Sequence, residues 1–595
     1  MTRRFATVLS TSSAAEPMTV LDGNWRRPPP PAARGGGTEK WLLIALAVMI
    51  FLLSLAPLGR LVWTALAPQG QLDLSRLDRL LAQPRVVQAT FNTLWLALGS
   101  TALALLLGTL AAVLVQLSDM RHKPAWVFVF ILPLMIPPQV SALAWLQAWS
   151  PGSPLLNLIG ISPAGSGRHP LYSAGGIILL LGLHNAPLVF LTVRAALRRI
   201  PADLLEAARA GGAGPWRLVF TIILPLARSA LYAGGALSFV AAAGNFGIQA
   251  MLGIPARMPT LITLIYQRLN GSGPQALPDM AVLSLLMALI TLSGLMIAGW
   301  LGQRLDVRVG GGKGAGQSLM PLGRWRLLSE SLAWLLMLAT LLLPLSALLV
   351  SSLTRGYGQP LNWHSLTIDN YLQALLHHQA IRQAFITSLG LSAGTALVLM
   401  VMALLLGYFL TWRRRPWMRF MQFSTELAYA LPGIVIGIAA MLFFLPPLPW
   451  TTISLYGSVW VILAAYLANY LALVLRPALS GYAQLEPSLD EAARVCGAGF
   501  MARLRDIIGP LAAPAVAAGA IMVFLSAFNE IQISILLVSA RVQTIGPMII
   551  FLEEGGAPTL SAAVGCLMVL AVLLMMLLLS AARKRLPAGV LPWQP

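Results

Sequence analysis

The residues of this chain that could do chemistry, and that recur, lie in two short stretches. The first reads Glu206-Ala207-Ala208-Arg209 and then Ala210-Gly211-Gly212-Ala213-Gly214. The second reads Glu491-Ala492-Ala493-Arg494 and then Val495-Cys496-Gly497-Ala498-Gly499. Each charged turn is predicted to be helical, and the glycines after it permit a sharp reversal, because glycine reaches positive φ without steric cost. A second short helix, about 215–222 in the first copy, leads to Pro225 at the head of the next apolar run, where proline is tolerated. The chemistry open to such a helix–turn–helix is docking: a rigid knob offered to the groove of another protein. A plainer reading would tie the loops to lipid headgroups through Arg217, Arg503 and Arg505.

One constant offset pairs Glu206 with Glu491, Gly212 with Gly497, Pro225 with Pro510, Gly234 with Gly519 and Phe239 with Phe524. A lone loop could be incidental, but two in register argue for a shared task. The remaining candidates are polar residues inside apolar runs, where burial in hydrocarbon is costly. Asn245 ends one run, and Asn529, Glu530 and Gln532 stand at the matching place in the other half, with Asn245 opposite Glu530. They are candidates for a pathway or gate, against helix–helix hydrogen bonding. Glu426 is expected to pair with Arg414 or Arg419, and His184, Asn185, Asn469 and Tyr470 are weaker pathway candidates. The adjacent His377 and His378 point apart on a helix and make a poor chelate, so no metal site is expected. The loop 366–371 and the acidic pair Glu553-Glu554 suit a partner on the far face, and Trp145, Trp149, Trp363, Trp417 and Trp450 suit interfacial anchors.

Something must hold these residues in place, and composition says what. The chain has 595 residues, 57% of them hydrophobic and 10% charged. A soluble domain carries about 25% charged residues, so the fold class is all-α and integral to a membrane. About twelve spans are predicted, near 41–66, 88–117, 125–149, 171–193, 224–252 and 280–302, then near 327–352, 383–411, 418–446, 454–475, 510–538 and 560–581. Leu132 to Pro138 and Ala430 to Gly433 each open a span, with Pro137 and Pro432 in register. The chain therefore divides into a tail (1–40), a six-span half (41–302), a basic connector (303–326), a second six-span half (327–582) and a closing tail (583–595). Parallel repeats of this kind imply a pseudo-two-fold axis along the membrane normal with a pathway between the halves.

The net charge of +20 follows the membrane rather than nucleic acid. With the N-terminus in the cytosol, thirty of the 40 Lys and Arg fall on cytosolic segments, as the positive-inside rule requires. Both termini and both Glu-Ala-Ala loops then lie in the cytosol. The 1–40 tail is polar and the first apolar run starts too late for a cleavable signal. Gly310 to Gly314 lacks the Gly-x-x-x-x-Gly-Lys-Ser/Thr pattern of a phosphate loop, so no ATP hydrolysis is expected of this chain. Cys496 and Cys566 are too far apart for a redox or metal-ligand spacing.

The repeated Glu-Ala-Ala, Gly and Pro-Leu elements closely resemble the coupling loops of ABC importer permeases of the binding-protein-dependent class. The resemblance covers nearly the whole chain, as two tandem domains of the type I permease fold. It implies that Glu206, Ala207, Ala208 and Gly212, with Glu491, Ala492, Ala493 and Gly497, engage two copies of a cytosolic ATPase that carries the ATP and magnesium. It also implies a periplasmic or lipid-anchored substrate-binding protein and residence in the bacterial inner membrane. Gly509 and Cys496 depart from the usual pattern. Fused permeases resemble ferric iron, thiamine and aminophosphonate systems, with polyamine and sulfate relatives. Asn245-Phe246-Gly247-Ile248 and Phe528 to Ser534 lean towards ferric iron. A secondary transporter of six plus six spans is the distant rival, since it needs intramembrane acids that are few here. A membrane scaffold that recruits a partner is more distant still.

Overall fold

Within the membrane a backbone must satisfy its own polar groups, and the Leu- and Ala-rich runs of this chain do so as helices. The computed structural model describes residues 36–68, 70–158, 169–269, 271, 276–304, 321–359, 362–413, 416–447 and 451–581. Most of both tails, the connector from 305 to 320 with Gly310–Gly314, Arg414 and Trp450 lie outside the described residues. Among the described residues there is no strand beyond one isolated bridge, Thr354 to Leu366. Among the described residues nine helices are long and apolar enough to span a membrane, and up to twelve if three bent pairs count as one span each.

In the first half the helices are α1 (Glu39–Leu66), α2 (Pro84–Leu117), α3 (Lys123–Met135), α4 (Pro138–Trp149) and α5 (Ala174–Leu197). Then come α6 (Ala202–Ala210), α7 (Pro215–Leu226), α8 (Arg228–Gly244) and α9 (Ala276–Arg304). The second half has α10 (Gly323–Ser352), α11 (Gln379–Trp412), α12 (Trp417–Ala430), α13 (Gly433–Phe444) and α14 (Val459–Ala483). It closes with α15 (Ser488–Val495), α16 (Phe500–Phe528), α17 (Ile545–Glu554) and α18 (Pro558–Ala581).

Two expected spans are not single helices. The 125–149 run is α3 and α4 at 101°, and the 418–446 run is α12 and α13 at 111°. The cause is local. A residue before proline is pushed out of the helical region, and both Ile136 (ψ 133°) and Pro137 (ψ 137°) precede a proline. Pro432 takes the same extended form, φ −56° and ψ 143°, ahead of Gly433. So the prolines do open new helices, as the sequence suggests, and they end the previous ones too. The fifth spans also stop early. The expected 224–252 run ends at Gly244, and 510–538 ends at Phe528. The halves differ here: α7 and α8 meet at 70° across Ala227, whereas α16 runs unbroken from the loop into the membrane.

In the first half α2, α5 and α8 pack together, and α11, α14 and α16 do the same in the second. Close approach depends on small residues: a Cβ added at Gly108 of α2 would stand 2.6 Å from the Ala186 carbonyl of α5. The opening helix of each half crosses to the other. The Ala56–Leu66 part of α1 packs on α13, and the Leu343–Ser352 part of α10 packs on α4. Ser54 Oγ donates to the Ser424 carbonyl at 3.1 Å, and Ser351 Oγ donates to Gln147 Oε1 at 2.6 Å. This exchange joins the repeats into one body.

Candidate functional site: two repeated loops and a central break

The loop copies fold alike. In the first, α6 ends at Ala210, and Gly212 takes φ +81° as the chain turns into Pro215–Leu218 at the head of α7. In the second, α15 ends at Val495, and Gly497 takes φ +83° ahead of Phe500–Arg503 at the head of α16. Ala213 N donates to the Ala208 carbonyl and Ala498 N to the Ala493 carbonyl, both at 3.0 Å. These bonds satisfy carbonyls that a helix end leaves open. Each short second helix passes through a π turn, Val219–Ile223 or Leu504–Ile508, into its span. Glu206, Ala207, Gly212, Glu491, Ala492 and Gly497 are exposed, Ala208 is half-buried, and Ala493 is buried. The Glu-Ala-Ala faces of the knobs are thus exposed, with Trp216 74% and Val495 85% exposed beside them. Trp216 stacks on Phe220 at 6.2 Å.

The loops are anchored differently. Leu205 and Leu218 are buried in the first copy. At the matching places of the second stand Asp490 and Arg503, an ion pair at 2.9 Å. Arg503 is therefore buried rather than set among lipid headgroups, whereas Arg217 and Arg505 are exposed. Burial pushes the Asp490 carboxyl above its usual range, while Arg503 pulls it back. Sequence reasoning missed this cluster. Its one signal was an acid and an arginine at places where the other copy has two leucines.

Of the four gate candidates, Asn529 bonds across the halves and Gln532 lies beside Gly244 of the first half, while Asn245 and Glu530 bond within their own halves. Asn245 is buried, and its Oδ1 accepts from Ile248 N at 3.0 Å. Glu530, at the paired position, accepts from Ile533 N at 2.5 Å and Ser534 N at 3.0 Å. Both side chains thus cap the short helical turn that follows a broken span. Asn529 Nδ2 donates to the Met135 carbonyl of the first half at 2.9 Å. Gln532 Oε1 accepts from Gly433 N at 2.9 Å, at the head of α13. Gly244 lies against the same place: a Cβ there would stand 3.2 Å from Pro432. The structure thus brings Asn529 and Gln532 to the proline breaks. Sequence reading did not single out Gln139, which sits one residue past the first break, fully buried, with neither amide atom hydrogen-bonded among the described residues.

Other expected residues are placed as follows. Glu426 pairs with Arg476 of α14, at 2.5 and 3.2 Å, rather than with Arg419. Arg476 lies in α14, a helix that packs against α12, and its guanidinium also rests over the Tyr429 ring at 4.9 Å. His184 and Asn185 are buried in α5, and Tyr470 donates to the Ser526 carbonyl at 3.3 Å. Glu554 is exposed, but Glu553 is half-buried, and its Oε2 finds no hydrogen-bond partner among the described residues. Burial lifts the Glu553 carboxyl to about 7. Trp363 is 90% exposed, and Trp149 and Trp417 are each 39% exposed.

Comparison with known proteins fits this geometry. The signature of the binding-protein-dependent transport system inner membrane component matches residues 104–311 and again 400–590. A probable ABC transporter permease protein of Sinorhizobium fredii is 25% identical over 93% of this chain and 96% of its own. The ferric transport system permease protein FbpB of Actinobacillus pleuropneumoniae is 24% identical over 83% of this chain and 71% of its own. The putative 2-aminoethylphosphonate transport system permease protein PhnU of Salmonella typhimurium is 32% identical over 38% of this chain and 80% of its own. A solved chain from a bacterial transporter importing the polysaccharide alginate aligns over 45% of this chain and 96% of its own, with 20% identity and a TM-score of 0.37. The chain belongs to the binding-protein-dependent ABC permease family, as a multi-pass inner-membrane protein that fuses two permease domains in tandem and is a transport component rather than an enzyme.

Proposed function

We propose that this chain forms the whole translocation pathway of an ATP-driven uptake system. It grips two copies of a cytosolic ATPase through the loops at Glu206–Gly214 and Glu491–Gly499. One observation carries the reading: the two exposed Glu-Ala-Ala helices, each reversed at a left-handed glycine, recur in the same form in both halves. Both loops and both termini face the cytosol. A substrate-binding protein delivers cargo on the opposite face.

The mechanism follows from the joints. ATP binding closes the ATPase pair and draws the two knobs together. Each knob continues into a fifth span, α7–α8 or α16, so the halves rock and the central break opens. Asn245, Asn529, Glu530 and Gln532 form the gate. Asn245 and Glu530 fix the shape of the breaks, while Asn529 and Gln532 bridge to the proline bends. ATP drives this only by binding one state better than the other.

The cargo is ferric iron. Support comes from relatives named as ferric transport permeases, 24–25% identical over 78–83% of this chain and 71–72% of their own. A second reading, an oxyanion such as molybdate or an aminophosphonate, has its own support: relatives named for those solutes are 31–32% identical over 30–38% of the chain. Uptake of radiolabelled iron, molybdate and 2-aminoethylphosphonate in cells with and without the chain separates them. Iron uptake lost on deletion, with the other two unchanged, is expected. Loss of another solute instead would move the assignment to it.

A further inference from the structure

A carboxylate from the first half is locked into the second loop. Glu39 opens α1, and its carboxylate meets three guanidinium groups of the other half. Arg503 Nη2 lies 2.6 Å away, Arg413 Nη2 3.1 Å and Arg494 Nη2 3.9 Å. Asp490 holds the opposite edge, 2.9 Å from Arg503 Nη1 and 3.3 Å from Arg494 Nε. The Tyr408 hydroxyl of α11 donates to Asp490 at 3.1 Å and accepts from Arg494 Nη2 at 3.3 Å. The centre of the cluster is enclosed, with the side chains of Arg503, Asp490 and Glu39 3%, 8% and 19% exposed, while Arg494 and Arg413 stand at its rim, 36% and 37% exposed. Two acids facing three arginines inside a packed junction are mutually dependent. Removing one partner leaves a buried charge uncompensated.

The first loop is not held this way. Leu205 and Leu218 replace Asp490 and Arg503. Glu330, two turns into α10, accepts from Arg121 N at 2.8 Å and pairs with Arg326 at 3.1 Å. Its contacts reach the 118–122 turn, with Arg326 also 3.5 Å from Asp119. Charge-assisted bonds have direction, whereas apolar contacts allow sliding. The two loops are therefore built to different stiffness relative to the helix that crosses from the opposite half.

We propose that Glu39 is a positioning residue for coupling: it fixes the α15–α16 knob to α1 of the opposite half, so that the two move as one body when the halves rock. The inference rests on the coupling role proposed above. It makes the two knobs unequal partners of the ATPase pair. The second transmits through a rigid ionic junction, and the first through an apolar seat and the 70° bend at Ala227.

Hydrogen–deuterium exchange of the full chain in lipid nanodiscs tests the latch without the ATPase. Glu39→Ala should raise exchange across 488–508 about tenfold and leave 202–223 at the wild-type rate. Glu330→Gln should leave 488–508 unchanged, and Arg413→Gln, which removes one contact of three, should raise it less than Glu39→Ala. In the assembled complex Glu39→Ala should lower solute imported per ATP several-fold while the ATPase stays bound, and Glu39→Asp should recover part of it. Unchanged exchange at 488–508 in both Glu39→Ala and Arg413→Gln overturns the latch. Raised exchange with wild-type import per ATP overturns its part in coupling. Failure of the coupling role itself would look different: ATPase binding and import would then survive replacement of Glu206 and Glu491.

Discussion

Gly212 and Gly497 are the residues on which both knobs turn. Their φ values, +81° and +83°, lie where an L side chain is strained by about 1–2 kcal/mol, and nothing stands within 4 Å of a Cβ added at either. Gly212→Ala and Gly497→Ala should therefore cost about 1 kcal/mol each through the backbone alone, read as a lowered melting temperature of the detergent-solubilised chain. Glu530 makes a second test. Its carboxylate satisfies the N–H groups of Ile533 and Ser534. Glu530→Ala strands them inside the membrane at about 1–3 kcal/mol, whereas Glu530→Gln keeps one acceptor. Both melting and uptake should suffer in the Ala variant, and uptake more than assembly. Wild-type uptake kinetics would reduce Glu530 to packing. Glu553 gives the pH dependence. Its folded value of about 7 lies above the usual 4.5, so the folded chain holds the proton more tightly. That contribution is complete below about 4.5 and is lost as pH rises through about 7. The wild-type chain should melt lower at pH 8 than at pH 6. Glu553→Gln should flatten the difference, a change on the order of 2 kcal/mol at pH 8. An unchanged pH profile in Glu553→Gln would show that another group titrates.

At the scale of elements, the decisive devices are the breaks. Ile136, Pro137 and Pro432 end one helix and begin another, so α3–α4 and α12–α13 bend by 101° and 111° instead of crossing straight. Replacing Pro137 and Pro138 together by alanine should straighten this joint and break the contact between Asn529 and the Met135 carbonyl. A cysteine pair at 135 and 529 would then cross-link in the wild-type background and not in the alanine variant. Here the limits of the sequence are plain. The helices themselves were legible, because a run of about 20 apolar residues has few alternatives. The prolines were legible as helix openers. Their effect on the preceding helix was not seen, because hydropathy is blind to backbone angles. The glycine reversals were legible from residue type alone. The partner of Glu426 was not: Arg419 is near in sequence, but Arg476 lies fifty residues on and arrives only when α14 packs on α12. The Glu39 cluster was hidden for the same reason, since its members come from four separate parts of the chain.

At the scale of the whole molecule, two halves of like fold are tied by exchanged opening helices and meet at a polar seam. The seam runs through Gly244, Pro432, Gln532, Asn529 and Met135. Fusion of the halves in one chain allows the two loops to diverge, one seated on leucines and one on ions. Both loops are proposed to grip an ATPase. Affinity purification of the chain in mild detergent from its own host, with mass spectrometry of what accompanies it, tests that claim most directly when wild type is set beside a Glu206→Ala, Glu491→Ala double variant. An ATP-binding subunit should accompany wild type at about two copies per chain and be lost or strongly depleted with the variant, which should still insert in the membrane. Recovery of the ATPase at equal yield from both, with uptake intact, would contradict that claim.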